Sequence, residues 1–143
     1  MISKFISAAL DRCYKAKHSM TPHRMLIIDT LVNHREPISA YDLRSVLNAK
    51  GNKLNIATIY RILEFWCSLN LVHRISSINK FVICANPEET HTHIINCCRK
   101  CETIVESCHA KMGIDISGGI ENLGLKLASG CHLEVPVFCS SCS

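Results

Sequence analysis

The chain has 143 residues, a mass of 16.0 kDa and a formal net charge of +4 at pH 7. Apolar residues make up 48% and charged residues 20%, which is typical of globular proteins and argues against wholesale disorder or a fibrous protein. No run of 18 apolar residues occurs and the N-terminus has no long apolar signal segment, so we expect a cytoplasmic protein that does not span a membrane.

Charge is distributed unevenly along the chain. Residues 1–83 carry 12 Lys and Arg against 5 Asp and Glu, a balance of +7. Residues 84–143 carry 4 against 7, a balance of −3, and the two sum to the stated +4. A basic first half suggests a polyanionic partner, although a solvated basic surface would give the same count.

Three helices are predicted in the first 51 residues. Apolar side chains recur at helical spacing from Ile2 to Cys13, which predicts helix 1. Thr21-Pro22 is typical of a capped helix start, because Thr accepts from free amides and Pro fits the first turn. Ser39 resembles the first residue of a capping box, and Gly51 fits the end of that helix.

A fourth helix and a hairpin complete the predicted first domain. Asn55 is expected to cap a helix that runs to about residue 70, with a buried stripe that includes Trp66. Short strands are predicted at Leu71–Ser76 and Lys80–Cys84. Two helices joined by a turn and followed by a hairpin describe a winged helix-turn-helix, whose second helix would present Tyr60 and Arg61 to a major groove.

The second half is predicted to be a separate α/β domain. Residues 85–89 are polar and contain Pro87, so we predict domains at 1–84 and 91–143 joined by a hinge at 85–90. Two short strands are expected around His93–Cys97 and Thr103–Cys108, followed by a weak helix that contains Gly118-Gly119. A long strand is expected from Leu125 to Val135, with Pro136 ending strand pairing. The predicted fold class is α+β.

Cysteine dominates the second half. Two C-x-x-C pairs are separated by 37 residues, and we predict that their four thiolates hold one structural zinc ion in a tetrahedral site: Cys98, Cys101, Cys139 and Cys142. The alternative is a thioredoxin-like redox pair. Neither pair lies between a strand and a helix in a βαβ pattern, and the presence of two pairs also argues against that alternative.

Several motifs occur together in an order that resembles the ferric uptake regulator (Fur) family, and within it the zinc uptake regulator (Zur) branch. They are Thr21–Arg24, Ser39–Leu43, Ala57–Arg61, Leu71–Arg74, Phe81–Cys84, Thr90–His93 and both C-x-x-C pairs. The resemblance implies a cytoplasmic, zinc-loaded homodimer that binds a pseudo-palindromic double-stranded DNA operator and represses zinc uptake genes. It implies no enzyme activity and no small-molecule substrate.

The resemblance also implies a regulatory zinc site at the domain junction, so that each chain holds two zinc ions. The residues that match this sensing site are His73, Cys84, His91 and Glu106, and His93 is a possible extra ligand. Their thiolate favours zinc over the harder ions sensed by iron and peroxide regulators of the family. Taken singly, each has a plainer interpretation: a surface wing residue for His73, a core residue for Cys84, and a solvated strand position for Glu106.

The predicted DNA contacts fall into two groups. Arg61 is expected to bond a guanine or a phosphate, Tyr60 to pack on a thymine methyl, and Thr58 lies beside them. A salt bridge with Glu64 is the alternative role of Arg61. Four basic side chains are expected to contact phosphates: Lys15, Arg24, Lys53 and Arg74.

Two departures from the family pattern affect the geometry expected for the dimer. Val137-Phe138 stand where the family has Gly, and the helix after Cys108 is rich in Gly. Three other functions are alternatives to a zinc-responsive repressor: an iron or peroxide sensor of the same family, a small zinc hydrolase and a thiol-redox sensor.

The remaining cysteines are expected to be small apolar residues of the core: Cys13, Cys67, Cys97, Cys108 and Cys131.

Overall fold

The computed structural model describes residues 2–88, 92–128 and 132–143, without the side chains of residues 2 and 3, and divides into two compact units, Met1–Glu88 and Glu89–Ser143. The elements of the first unit are α1 (Ile2–Lys15), α2 (Pro22–His34), α3 (Ala40–Ala49), α4 (Ile56–Ser68), β1 (Val72–Ile75) and β2 (Lys80–Ile83). Those of the second are β3 (His93–Cys98), β4 (Ile104–Cys108), α5 (Ile116–Glu121) and β5 (His132–Val137). The predicted α+β class, a winged helix followed by a small α/β domain, is confirmed.

Local sequence sets the starts of α2, α3 and α4. The side chains of Thr21, Ser39 and Asn55 each accept a hydrogen bond from the backbone N–H three residues later, at 3.3, 3.1 and 2.8 Å. All three residues are extended, as helix N-caps are, and satisfy amides that the helix leaves unpaired. Beyond α3, Gly51 has φ +81°, where a side chain would be strained.

The core of the first unit lies where α4 packs against α2 and α3. Trp66 is fully buried, and its indole N–H donates to the carbonyl of Arg24 at 3.2 Å. The Arg12 guanidinium donates to the carbonyl of Leu69 at 2.7 Å, so α1 is fastened to the end of α4. These two bonds between distant segments fix the helix that was predicted to read DNA.

The wing is an antiparallel hairpin of β1 and β2 that is anchored to the start of α3. Arg74 pairs with Phe81 in its register. Phe81 also exchanges two backbone hydrogen bonds with Ile38, of 2.9 and 2.8 Å, just before α3. Because Phe81 is fully buried, the wing and the helix-turn-helix share one core.

The second unit is built on a sheet with the order β4-β3-β5. β3 pairs antiparallel with β4 and parallel with β5. In this register Cys108, His93 and His132 are neighbours across the three strands, and so are Glu106, Ile95 and Glu134. Directly paired residues share a face, so one face of the sheet carries most of the ionisable side chains of its three strands.

Two predictions for the second half were wrong. Residues 125–128 form no strand, and the described strand β5, His132–Val137, is the segment that pairs with β3. The predicted weak helix is confirmed as α5, one and a half turns long, which starts where the Asp115 carboxylate accepts from the N–H of Gly118 at 2.9 Å. Residues 129–131 of the predicted strand lie outside the described residues.

Pro136 lies inside β5 rather than ending it. β5 pairs with β3 on one side only among the described strands. The carbonyl of Val137 faces β3, since it accepts from the N–H of Arg99 at 2.9 Å. Backbone groups of successive residues point to opposite sides of a strand, so the nitrogen of Pro136 faces the open edge and no ladder hydrogen bond is lost.

Candidate metal sites and nucleic-acid interface

The two C-x-x-C pairs come together at one end of the three-stranded sheet. The ligand atoms of Cys98, Cys101, Cys139 and Cys142 all lie within 4.8 Å of one another. The Sγ atoms of Cys101 and Cys139 are 3.6 Å apart, and the N–H of Cys139 donates to Sγ of Cys98 at 3.4 Å. Each pair forms a tight turn after a strand, which aims two sulfur atoms at one point.

The surroundings of these thiols differ in their effect on ionisation. Backbone N–H groups of Cys101, Cys139 and Lys100 lower the pKa of Cys98 to about 6. Hydrogen bonds with Thr103 lower the pKa of Cys101. Contact with the thiols of Cys139 and Cys101 raises the pKa of Cys142 to about 12. The polypeptide alone therefore favours ionisation of some thiols only, whereas a divalent cation would favour the thiolate form of all four.

This cluster fits a structural metal ion. Four thiolates at mutual distances below 4.8 Å match a closed tetrahedral site for zinc, with no coordination position left for a substrate. The convergence of all four sulfur atoms on one point favours this metal site over a thioredoxin-like redox pair, which needs only two.

A second pair of ligands lies on the wing of the first unit. His73 is on β1 and Cys84 directly follows β2, and their ligand atoms lie within 4.8 Å of each other. In the register of the hairpin they are diagonal neighbours on one face. Both are buried, with 2% and 1% of their surface exposed. The plainer interpretation of His73 as a surface wing residue is wrong.

A third pair of ligands lies on β3 and β4 of the second unit. His93 pairs with Cys108, and Glu106 is two residues from Cys108, so His93 and Glu106 are also diagonal neighbours on one face. Nδ1 of His93 donates to the Glu106 carboxylate, and each side chain is only 6% exposed. The pair therefore places an imidazole and a carboxylate, two ligand types for a divalent metal, side by side on this face.

Little of the Glu106 side chain is exposed, so its plainer interpretation as a solvated strand position is wrong. His93, which sequence analysis ranked only as an extra ligand, has the burial and the carboxylate partner that metal-binding histidines commonly have. His91 lies outside the described residues, and its role stays a prediction.

The exposed side of α4 carries the residues predicted to read DNA. Arg61 is exposed, whereas Thr58 and Tyr60 are half-buried. Within the described ranges Arg61 forms no ion pair with Glu64, and its Nε lies 3.5 Å from the carbonyl of Ala57 on its own helix. The salt-bridge alternative for Arg61 therefore has no support there.

The basic residues predicted to meet phosphates differ in their surroundings. Lys53 is exposed. Lys15 pairs with Asp11 at 2.9 Å on the surface of α1. The Arg24 guanidinium lies 3.7 Å from the centroid of the Phe65 ring and donates to the carbonyl of Ser19 at 2.7 Å, so it is held in place.

Sequence analysis missed one exposed aromatic residue of the helix-turn-helix. Tyr41 on α3 is 55% exposed, and its ring meets the ring of Tyr60 edge-on at a centroid distance of 6.5 Å. The available signal was its position: it lies beside the capping Ser39 and outside the buried stripe that contains Leu43 and Leu47.

The cysteines without a predicted ligand role are mostly core residues. Cys13, Cys97 and Cys108 are buried and Cys67 is half-buried, as small apolar side chains would be. Cys131 lies outside the described residues. No helix of the described ranges is long and apolar enough to cross a membrane.

A winged helix followed by a small α/β unit with clustered cysteine and histidine ligands defines the class of metal-responsive winged-helix regulators. The family model described as the ferric uptake regulator family matches residues 15–129. The chain therefore belongs to the ferric uptake regulator family.

The relatives include regulation proteins named for zinc uptake and for ferric uptake. The zinc uptake regulation protein of Escherichia coli is 30% identical over 106 residues, which are 73% of this chain and 62% of that protein. The ferric uptake regulation protein of Haemophilus influenzae is 33% identical over 89 residues, 61% of this chain and 60% of that protein. The chain thus spans about three fifths of the curated relatives it matches.

The fold is also that of a solved relative. A structure described as a zinc uptake regulator complexed with zinc and DNA superposes with a TM-score of 0.81 and 24% sequence identity. The superposition covers 99% of this chain and 94% of that chain. At this identity the likeness establishes the fold.

Proposed function

We propose that this protein is a zinc-responsive transcriptional repressor that binds DNA as a zinc-loaded homodimer and controls zinc uptake genes. The observation that carries the proposal is the buried pair of His73 and Cys84 on the wing. A thiolate beside an imidazole prefers zinc over iron or manganese, which favour oxygen and nitrogen ligands. The E. coli relative, a zinc uptake regulation protein, supports the same metal.

The four clustered cysteines are proposed to hold the structural ion. Cys98 ends β3 and Cys101 follows it, whereas Cys139 and Cys142 follow β5, so ligation by their thiolates joins two strands at one end of the sheet. A closed four-thiolate site stabilises a fold rather than catalysing a reaction. This assignment, together with the chain's membership of a family of regulators, favours a binding protein over a zinc enzyme.

The regulatory ion is proposed to be shared by the two units. His73 and Cys84 would supply two ligands, and Glu106 with a histidine of the segment 91–93 would supply the others. His93 is the described histidine with the required burial and carboxylate partner. When bound, zinc supplies two positive charges that favour the thiolate of Cys84 and the carboxylate of Glu106 close together.

Ligands that come from both units would fix the winged helix relative to the second unit. In a two-fold dimer the two α4 helices must reach successive major grooves, about 34–36 Å apart. A fixed orientation removes the ordering cost of meeting that spacing, so metal binding and DNA binding become coupled and reciprocal. Coupling of about 1–3 kcal/mol corresponds to roughly 5- to 150-fold in DNA affinity.

The homodimer is proposed to form through the second unit. Leu133 and Val135 on β5 and Val105 on β4 are 43%, 37% and 59% exposed. The sheet register places all three on the face opposite His93 and Glu106. An exposed apolar face of this kind is expected to be covered by a second copy, as the family resemblance implies.

An iron- or peroxide-sensing regulator is the second candidate. The pair of His93 and Glu106 offers one nitrogen and one oxygen, which suit ferrous iron and manganese as well as zinc. The H. influenzae relative is a ferric uptake regulation protein. The thiolate of Cys84 is the feature that separates the two candidates.

One experiment tests the proposal. DNA is selected from a random pool by the zinc-loaded protein, and its affinity is then measured during titration with zinc, ferrous iron and manganese. We expect zinc to give the largest increase, and Cys84→Ser to remove it while the four-cysteine ion stays bound. Cys67→Ser, a change in a half-buried cysteine of the same unit, is the control. If ferrous iron raised the DNA affinity of the wild type and of Cys84→Ser equally, the zinc assignment would be rejected.

A further inference from the structure

The guanidinium of Arg74 on the wing lies against two aromatic rings rather than open to solvent. Its central carbon is 5.8 Å from the ring centroid of Tyr60 and 5.5 Å from that of Phe81. Its Nη2 donates to Oδ1 of Asn79 at 3.0 Å. These three contacts join the wing strand β1, the wing turn and the helix α4 through one side chain.

Two of these partners are fixed by the fold. Phe81 is fully buried, stands opposite Arg74 in the β1–β2 register and is bonded to Ile38 through both backbone groups. Asn79 closes the wing turn with φ +50°, a conformation that Asn adopts more readily than most residues. The guanidinium is therefore held by a rigid platform and by a turn residue of defined geometry.

The third partner, Tyr60, is the one proposed to meet a base. Its ring meets Phe81 at 6.2 Å and Tyr41 at 6.5 Å, both edge-on. With Arg74 near the same ring, Tyr60 has neighbours from α3, β1 and β2. A side chain confined from several elements keeps one orientation, and a fixed orientation is what selective contact with a thymine methyl requires.

We infer that Arg74 is a positioning residue for sequence reading: it holds the ring of Tyr60 in the orientation that meets a base, and its main role is not a phosphate contact. This inference rests on the proposed DNA-binding function. A planar guanidinium can lie against aromatic rings while it donates in its own plane, whereas the compact, strongly hydrated ammonium of lysine has no planar face to fit the same position. Arg74→Lys therefore keeps the positive charge but is expected to lose the contacts that position the ring of Tyr60.

The test compares two DNA probes and two variants. The probes are a duplex selected from a random pool by the zinc-loaded wild type and a duplex of scrambled sequence. For Arg74→Lys we expect the ratio of the two affinities to fall about two- to fivefold, the scale of a partly exposed cation–π contact, with scrambled-DNA affinity unchanged. Arg35→Lys, the same change at an exposed residue beyond α2, should leave both affinities unchanged.

If the main role of Arg74 is instead to contact a DNA phosphate, a different result is expected. Arg74→Lys would then leave both affinities nearly unchanged, and Arg74→Gln would weaken both equally and reduce the salt slope by about 1. That pattern would overturn the inference. A second measurement needs no DNA: the ring resonances of Tyr60 should shift in Arg74→Lys and not in Arg35→Lys, and unmoved resonances would overturn it as well.

The experiment also separates this inference from the function it rests on. If the zinc-loaded wild type enriches no sequence at all, the proposed DNA-binding function fails and this role fails with it. If it enriches a sequence that Arg74→Lys binds with an unchanged affinity ratio, the role of Arg74 fails alone.

Discussion

The Sγ atoms of Cys101 and Cys139 lie 3.6 Å apart although 38 positions separate them in the sequence. The parallel pairing of β3 with β5 produces this proximity, since it brings the ends of both strands to the same end of the sheet. The C-terminal turn is held there by further bonds, including one from Nζ of Lys100 to the carbonyl of Cys142 at 3.0 Å. An ion at this site would fasten the end of the chain to the middle of the second unit.

Cys139→Ser is therefore expected to remove one tightly held zinc ion per chain and to unfold the second unit. Because the four thiolates come together only in the folded state, metal binding contributes to the folding free energy, and its loss should cost several kcal/mol. Native mass spectrometry with a mild chelator and thermal unfolding would measure both effects. Ser141→Ala, a change within the same turn, is the control. Full stability of metal-free Cys139→Ser would contradict the structural role.

Replacement of the two histidines of the segment 91–93 decides the regulatory ligand. We expect His93→Ala to abolish the zinc-dependent rise in DNA affinity, because His93 is buried and bonded to Glu106. The family resemblance instead predicts the same loss for His91→Ala. Zinc stoichiometry and DNA affinity of both variants would be measured with the four-cysteine ion as an internal standard. Retention of both zinc ions in His93→Ala would exclude it as a ligand.

The exposed face of β5 predicts the oligomeric state. Leu133→Asp should convert the dimer to a monomer, since a carboxylate on an apolar face would be desolvated in the interface. Sedimentation velocity measures the change, and zinc content reports on the fold. Leu123→Asp, which changes an exposed leucine after α5, should leave the dimer intact. A dimeric Leu133→Asp would show that the interface lies elsewhere.

Arg61→Ala tests direct reading by α4. An exposed Arg61 without an ion pair to Glu64 among the described residues can contact a base edge. The variant is expected to lose about 1–3 kcal/mol on selected DNA and to relax preference at one position. Fluorescence anisotropy on selected and scrambled duplexes gives both values. Equal losses on both duplexes would indicate a phosphate contact instead.

Cys67 is expected to resist alkylation. Burial raises its pKa to about 12, and the nearby positive charge of Arg74 lowers it only in part. At pH 8 a thiol with that pKa contains about a thousandfold less thiolate than one with an ordinary pKa, and the thiolate is the reactive form. Iodoacetamide labelling followed by peptide mapping should show protection that disappears in denaturant. Labelling at the denatured rate in the folded protein would contradict the raised pKa.

Much of the first unit could be predicted because its signals are local. The caps at Thr21, Ser39 and Asn55 act within three residues, and the apolar stripe of α4 follows from helical periodicity alone. In the second unit the same rules predicted β3, β4 and α5 but failed for the last strand. Alternation from Leu125 to Val135 is typical of one long strand, yet residues 125–128 form none, and the described β5 lies where β3 supplies hydrogen bonds.

The sequence by itself determined the α+β class, the helix starts and the two C-x-x-C pairs, because each depends on residues close together in the chain. Only the tertiary structure decided that His73 joins Cys84 and that His93 joins Glu106, since strand register alone sets diagonal contacts between separate strands. It also decided the surroundings of Arg74. A side chain's charge can be read from its residue type, but what that charge touches depends on how distant segments pack.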